Sequence, residues 1–171
     1  NATKAAGDWR CATTVHKESA ILTSKVLERV FAGKFDLILD STLRNESVGM
    51  IFFETFKNAG YEVRLFGVTV KPEIAVVRAL LRAVKTMRYV PISELLKAHK
   101  GFMSLFEKFA ALADKARLYD TTDGLLIIAE KENGSLEIKD LSRYTNAVDR
   151  AKRINENAQT LGDIQKGSQD G

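Results

Sequence analysis

Two short, largely apolar runs constrain this chain most. Residues 35–39 close on Asp40, and residues 61–70, rich in β-formers (Tyr61, Val63, Leu65, Phe66, Val68, Val70), close on Lys71-Pro72. Runs of this length and composition predict strands buried on both faces, the kind found in parallel sheets covered by helices. Between them, from Asn45 to Ala59-Gly60, Val48, Phe52, Phe53 and Phe56 share one helical face. Residues 14–32 also read as a helix: Ile21, Leu22, Val26, Leu27 and Val30 keep the period, Thr13 or Thr14 can cap it, and Gly33 stops it. Helix–strand–helix–strand–helix is the α/β order, with a parallel sheet and right-handed crossovers.

The remaining elements follow the same logic. Pro72 suits the first turn of a helix reaching Lys85, since its missing N–H costs nothing there. After a break at residues 86–91, a long helix from Ile92 to about Lys115 carries Leu95, Leu96, His99, Phe102, Phe106, Phe109 and Ala113 on one stripe. Residues 116–119 form a brief strand candidate, and Asn133-Gly134 between residues 125–132 and 135–139 is a strong hairpin signal. A last helix is expected from about Leu141 to Asn155. Residues 156–171, polar with three glycines, are expected to be a mobile tail beyond a domain spanning 1–155.

Composition removes several functions. With 171 residues the chain is long enough for one real core. Its single cysteine, Cys11, excludes a disulfide framework and a multi-Cys zinc site. No apolar run approaches the roughly 20 residues that span a bilayer, and no leader pattern opens the chain. The net charge of +4 is spread among acids, with no basic arm or aromatic–basic platform for nucleic acid.

Two groups of residues could carry chemistry. The first predicted strand ends in Asp40-Ser41-Thr42-Leu43-Arg44-Asn45, a carboxylate, two hydroxyls and a guanidinium leading into a helix start. Ligands of open parallel sheets bind at that end, and a helix N-terminus attracts anions, so a phosphate or sugar-hydroxyl site fits. A cap and turn, with Asp40 and Asn45 satisfying backbone groups, fits equally. The second group is Arg78, Arg82 and Arg88, with Lys85 near the same face. Arg78 and Arg82 are four apart on one helix face, and three guanidinium forks suit polyphosphate. A solvated face of snorkelling arginines is the alternative. His16, Glu18 and His99 are too scattered for a metal site, and His99 sits on an apolar stripe as a core or lid-packing residue. No G-x-x-x-x-G-K-[ST] occurs: Gly33-Lys34 runs into Phe35, and Gly162 to Gly167 continues Ser168-Gln169 with no strand before it. No G-x-G-x-x-G or G-x-S-x-G occurs either.

Five segments in order, VHKESAIL (15–22), GKFDLILDSTLRN (33–45), NAGYEVRLFGVTV (58–70), RALLRAVKTMRYVP (78–91) and LYD (118–120), resemble the zeta toxin family of P-loop kinases over roughly residues 12–130. The resemblance implies an α/β, P-loop kinase-like parallel sheet flanked by helices, with a helical lid and a C-terminal β-hairpin. It implies phosphorylation of a sugar nucleotide, UDP-N-acetylglucosamine, by ATP with Mg²⁺, in a cytoplasmic protein with an antitoxin as possible partner. By position, Asp40 and Thr42 match the family's acidic-Gly-Thr motif on the substrate side, with Ser41 where glycine is usual and Arg44 at a position that is sometimes arginine. Arg82 and Arg88 match the lid pair that clamps the ATP phosphates, and Arg78 an arginine common nearby. His16 and Glu18 fall in the helix that walls the substrate cleft. The family's P-loop strand, Walker Lys and catalytic Asp belong ahead of the HKES helix. Only fifteen residues stand there, and Asp8 lacks the motif that follows such an Asp, so the P-loop segment is expected upstream of Asn1. A chain that does begin here is expected instead to be a remnant or pseudo-kinase that binds nucleotide or a partner without catalysis.

Overall fold

The computed structural model describes residues 16–167, with side chains described within 18–154. Cys11, Asp8, the capping candidates Thr13 and Thr14, and the His16 side chain lie outside the described residues. In chain order the elements are α1 (His16–Gly33), α2 (Glu46–Asn58), β1 (Arg64–Thr69), α3 (Pro72–Thr86), α4 (Ile92–Leu112), β2 (Lys115–Asp120), β3 (Leu126–Lys131), β4 (Glu137–Ile138) and α5 (Leu141–Gly167). They fall into two compact units: Asn1–Ser41 with Ala75–Ile92, and Thr42–Ile74 with Ser93–Gly171.

The second unit contains the sheet, in order β1-β2-β3-β4. β1 and β2 pair in parallel from Arg64↔Lys115 to Thr69↔Asp120, and the chain between them supplies α3 and α4. β3 then pairs antiparallel with β2, and β4 with β3. The sheet is therefore mixed rather than parallel throughout. The hairpin at Asn133-Gly134 is present, and Gly134 takes a positive φ of 86° that a side chain would resist.

Alternation makes this unit's core. Leu65, Gly67 and Thr69 of β1 and Ala116, Leu118 and Asp120 of β2 point to the buried face. There they meet the stripe of α4, whose Met103, Phe106, Phe109 and Ala110 are buried. Phe53 of α2 stacks on Phe109 at 5.5 Å, and Phe102 meets Phe106 edge-on at 5.8 Å. The Lys131 ammonium closes the carboxyl end of α4, donating to the carbonyls of Ala110, Ala111 and Ala113 at 3.0, 3.0 and 2.7 Å. Those carbonyls lack helical partners and carry the negative end of the helix dipole. From α5, the Tyr144 hydroxyl donates to Glu107 at 2.7 Å, and burial with that carboxylate pushes its ionisation well above the ordinary tyrosine range.

Further expectations change. β1 is buried on one face and not on both, with Phe66 and Val68 exposed by 61% and 58%. Residues 35–39 are not a strand: Gly33 is followed by irregular backbone up to Asn45, with Phe35 and Ile38 exposed by 63% and 97%. The run has strand composition, but a strand exists only where a second one pairs with it, and no described segment does. The last helix also passes Asn155 and continues to Gly167, through the segment expected as a tail. α1 and most of α3 belong to the first unit, and their Ile21, Leu22, Val26, Val77, Leu81 and Val84 are all more than half exposed.

Candidate functional site

Asp40 and Ser41 end the irregular segment in the first unit, and Thr42 opens the second. Asp40 and Thr42 are exposed. Asp40 makes no hydrogen bond with a described residue, so the capping role falls to Asn45 alone. Its side chain accepts the Val48 N–H at 3.1 Å while its backbone stays extended, the arrangement of an N-cap. Leu43, just before, has φ of 45°, a left-handed conformation that costs a branched side chain about 1–2 kcal/mol. Its side chain packs against the core of the second unit, which holds that turn in place.

Arg44, which the motif placed on the substrate side, is engaged in an exposed ion pair. Its guanidinium donates to Glu94 at 2.7 Å, and this bond, with one from Lys97, holds the Glu94 carboxyl below its usual range. The backbone of Arg44 lies against Gly101 of α4. A Cβ at Gly101 would stand 2.7 Å from the Arg44 carbonyl oxygen and 3.0 Å from its Cα. The Thr42–Asn45 segment is thus seated by a close approach that only glycine permits, and fastened by an ion pair one helical stretch earlier on α4.

The arginines lie on α3 and just after it. Arg78 and Arg82 are exposed on the helix. Thr86 donates back to the Arg82 carbonyl at 2.8 Å, and Met87, with φ of 56°, turns the chain so that Arg88 follows in the break. Arg88 is exposed, and neither Arg82 nor Arg88 pairs with a described carboxylate. No hydrogen bond or ion pair joins Asp40 to Arg82 or Arg88, and Glu18 is exposed in the first turn of α1. The predicted residues thus divide: Glu18, Asp40, Arg78, Arg82 and Arg88 in one unit, Thr42 and Arg44 in the other. Among the described residues no group of three or more His, Cys, Asp or Glu could cage a metal ion.

Sequence reasoning passed over a second strand-end carboxylate. Asp120 ends β2 and is only 2% exposed. Its Oδ1 accepts the Thr122 N–H at 2.8 Å, and its Oδ2 stands 3.6 Å from the Arg143 guanidinium. Burial pushes its ionisation up, but the Thr122 bonds and the charges of Arg150 and Arg143 outweigh that and hold it below the ordinary aspartate value. Thr122 in turn accepts the Lys71 N–H at 3.2 Å, and Thr121 donates to the Thr69 carbonyl at 2.9 Å, so the β2 end is tied to the root of α3. The rule that singled out Asp40 also reaches Asp120; Arg143 and Arg150, on a helix expected only by its bounds, carried no such signal.

An open pocket of about 160 Å³ lies at the opposite, amino ends of β1 and β2, lined by Arg64, Phe66, Lys115, Arg117 and Glu132. Arg117 is already engaged there by Glu130 and Glu132 at 2.6 and 2.5 Å, so its charge is spent within the protein. Nor does any described helix have the length and apolarity to cross a membrane.

A stretch of 61 residues is 39% identical to the calmodulin calcium-dependent NAD kinase of Arabidopsis thaliana. It covers 36% of this chain and 11% of that protein, so the chain spans about a tenth of its relative's length. No solved structure matches the chain. The family model for zeta toxin matches residues 1–133, which include both the Asp40–Asn45 turn and all three arginines. The chain therefore belongs to the zeta toxin family.

Proposed function

We propose that this chain is the acceptor-side and lid-side part of an ATP-dependent phosphotransferase whose acceptor is the hydroxyl of a sugar nucleotide such as UDP-N-acetylglucosamine. Family membership over residues 1–133 carries the reading. Two exposed guanidiniums without carboxylate partners, Arg82 and Arg88, are of the residue type that closes over a triphosphate. In this reading they bind the phosphate oxygens of ATP and offset the charge that spreads over the transferring phosphoryl group. Arg78 extends the same face. Asp40 and Thr42 bind the acceptor, a carboxylate and a hydroxyl orienting sugar hydroxyls. Glu18 and His16 contribute to acceptor binding by family resemblance, and Arg44, held by Glu94, supports the Thr42 turn. Mg²⁺ keeps most of its waters and leans on phosphate oxygens, so a site with one exposed carboxylate, Asp40, fits it without a protein cage. When bound it neutralises phosphate charge. A cytoplasmic location and an antitoxin partner belong to the same proposal.

NAD, the substrate named for the Arabidopsis relative, is a second acceptor supported by the 39% identical stretch. The test is a transfer assay with the full-length native protein, ATP and Mg²⁺, offering UDP-N-acetylglucosamine and NAD separately. Phosphorylated UDP-N-acetylglucosamine is expected. Transfer to NAD alone would replace the acceptor, and ATP binding without transfer to either would make this a binding module.

A further inference from the structure

Thr69 and Asp120 are cross-strand neighbours at the carboxyl ends of the parallel pair, both on its buried face. The same face of β1 meets α4 one step earlier, where a Cβ at Gly67 would touch the Phe102 ring. His99 lies one turn before Phe102 on α4, which brings it to the level of Thr69. Arg150 approaches from α5, near enough that its charge acts on both Asp120 and His99. Three elements thus meet beside Asp120.

What is unusual is how little these groups bond to. Thr69 is 1% exposed, and its hydroxyl has no partner among the described residues. The Nε2 of His99 and both Nε and Nη2 of Arg150 are sealed from solvent and also have no partner among the described residues. Buried donors left open are costly, so such groups point to something that fills them. The open Arg150 atoms are the pair on one edge of the guanidinium, the edge whose two parallel N–H groups match two oxygens of one anion. One water accepts two hydrogen bonds, whereas Arg150 and Thr69 alone offer three donors, and His99 Nε2 adds a fourth when it carries the proton. An oxyanion accepts that many.

We propose that the Nε/Nη2 edge of Arg150, with Thr69 Oγ1 and His99 Nε2, binds a small oxyanion of the phosphate or carboxylate class beside Asp120. Arg150 belongs to α5, beyond the residues that the family model matches, and all four groups lie in the second unit, whereas Arg82 and Arg88 belong to the first. The charges facing His99 are Arg150 from α5 and Glu73 from the first turn of α3, with Asp120 on β2 and Arg143 on α5 flanking Arg150. Burial and Arg150 push the His99 ionisation down when the site is empty, and Glu73 opposes them. A bound anion adds negative charge beside the ring and favours its protonation, so binding takes up a proton and tightens as pH falls.

The test is thermal melting of the full chain against inorganic phosphate and, separately, acetate, at matched ionic strength and at pH 6 and 8. A saturable rise in Tm is expected with at least one of them, larger at pH 6 for acetate, whose own charge is the same at both pH values, abolished in Arg150→Gln and weakened in Thr69→Val. Arg82→Gln with Arg88→Gln should leave it in place, which separates this site from the proposed ATP site. No saturable rise, or one that survives both Arg150→Gln and Thr69→Val, overturns the proposal. If Arg150→Gln does not fold, the phosphate response of Thr69→Val and His99→Gln decides it.

Discussion

Replacing Gly101 by alanine separates two opposite expectations. Glycine in the middle of a helix is worse than alanine by roughly 0.5–1 kcal/mol, so on local grounds Gly101→Ala should stabilise α4. The structure reverses the sign. The new methyl would stand 2.7 Å from the Arg44 carbonyl oxygen, 2.9 Å from its Cβ and 3.0 Å from its Cα. Ordinary carbon contacts lie at about 3.5–4.0 Å, so backbone, not a flexible side-chain end, must retreat. Overpacking of this kind costs about 1–3 kcal/mol, which leaves a net loss of about 0–2.5 kcal/mol after the helix gain, towards the upper end because backbone rather than a side-chain tip must move. The segment that must move carries Thr42, the left-handed Leu43 and the Arg44–Glu94 ion pair, so phosphoryl transfer should fall with stability. Urea unfolding reads this as a lower midpoint with unchanged slope. Ser104→Ala, exposed on the same helix, is the control and should change little. A midpoint that rises in Gly101→Ala would refute the close approach.

Three further outcomes follow from the same geometry. Lys131→Met removes three bonds to the last carbonyls of α4 and should cost about 1–2 kcal/mol, read as a lower Tm at low and high salt alike because the ammonium is partly buried. Lys34 is exposed with φ of 51° at the end of α1, so Lys34→Gly should stabilise by about 1 kcal/mol in the same melting assay. The Asp114 carboxyl is held below the usual aspartate value by its bond from Lys57 at 2.7 Å and by the Val63 N–H at 2.7 Å. Its contribution is therefore present above the unfolded aspartate pKa and lost as pH falls through the lower folded value. Asp114→Asn should lower Tm at pH 7 and converge with the parent at strongly acid pH.

What the sequence made legible was whatever depends on near neighbours. The stripe of α4, the Asn45 cap, Pro72 at the start of α3 and the turn at Gly134 all follow from local spacing and backbone preference. Residues 35–39 show the limit: composition gives strand propensity, but pairing depends on a partner that propensity cannot supply. The same limit applies at the site. Strand-end logic singled out Asp40 and Thr42 at the end of a strand that does not form, while the tie from Arg44 to Glu94 crosses 50 residues, and the approach of Arg44 to Gly101 crosses a similar span. Neither leaves a periodic trace. Asp120 was within reach of the rule used for Asp40, whereas Arg150 becomes visible only when α5 is laid beside β2.

The most direct test of the functional reading is transfer of phosphate from ATP to UDP-N-acetylglucosamine by the full-length native protein, beside its Arg88→Ala variant. The account predicts measurable transfer by the parent, and in the variant a fall on the order of a hundredfold or more with an unchanged melting curve. Equal turnover in the two proteins would remove Arg88 from the site, and no transfer by the parent to this acceptor or to NAD would contradict the kinase reading itself.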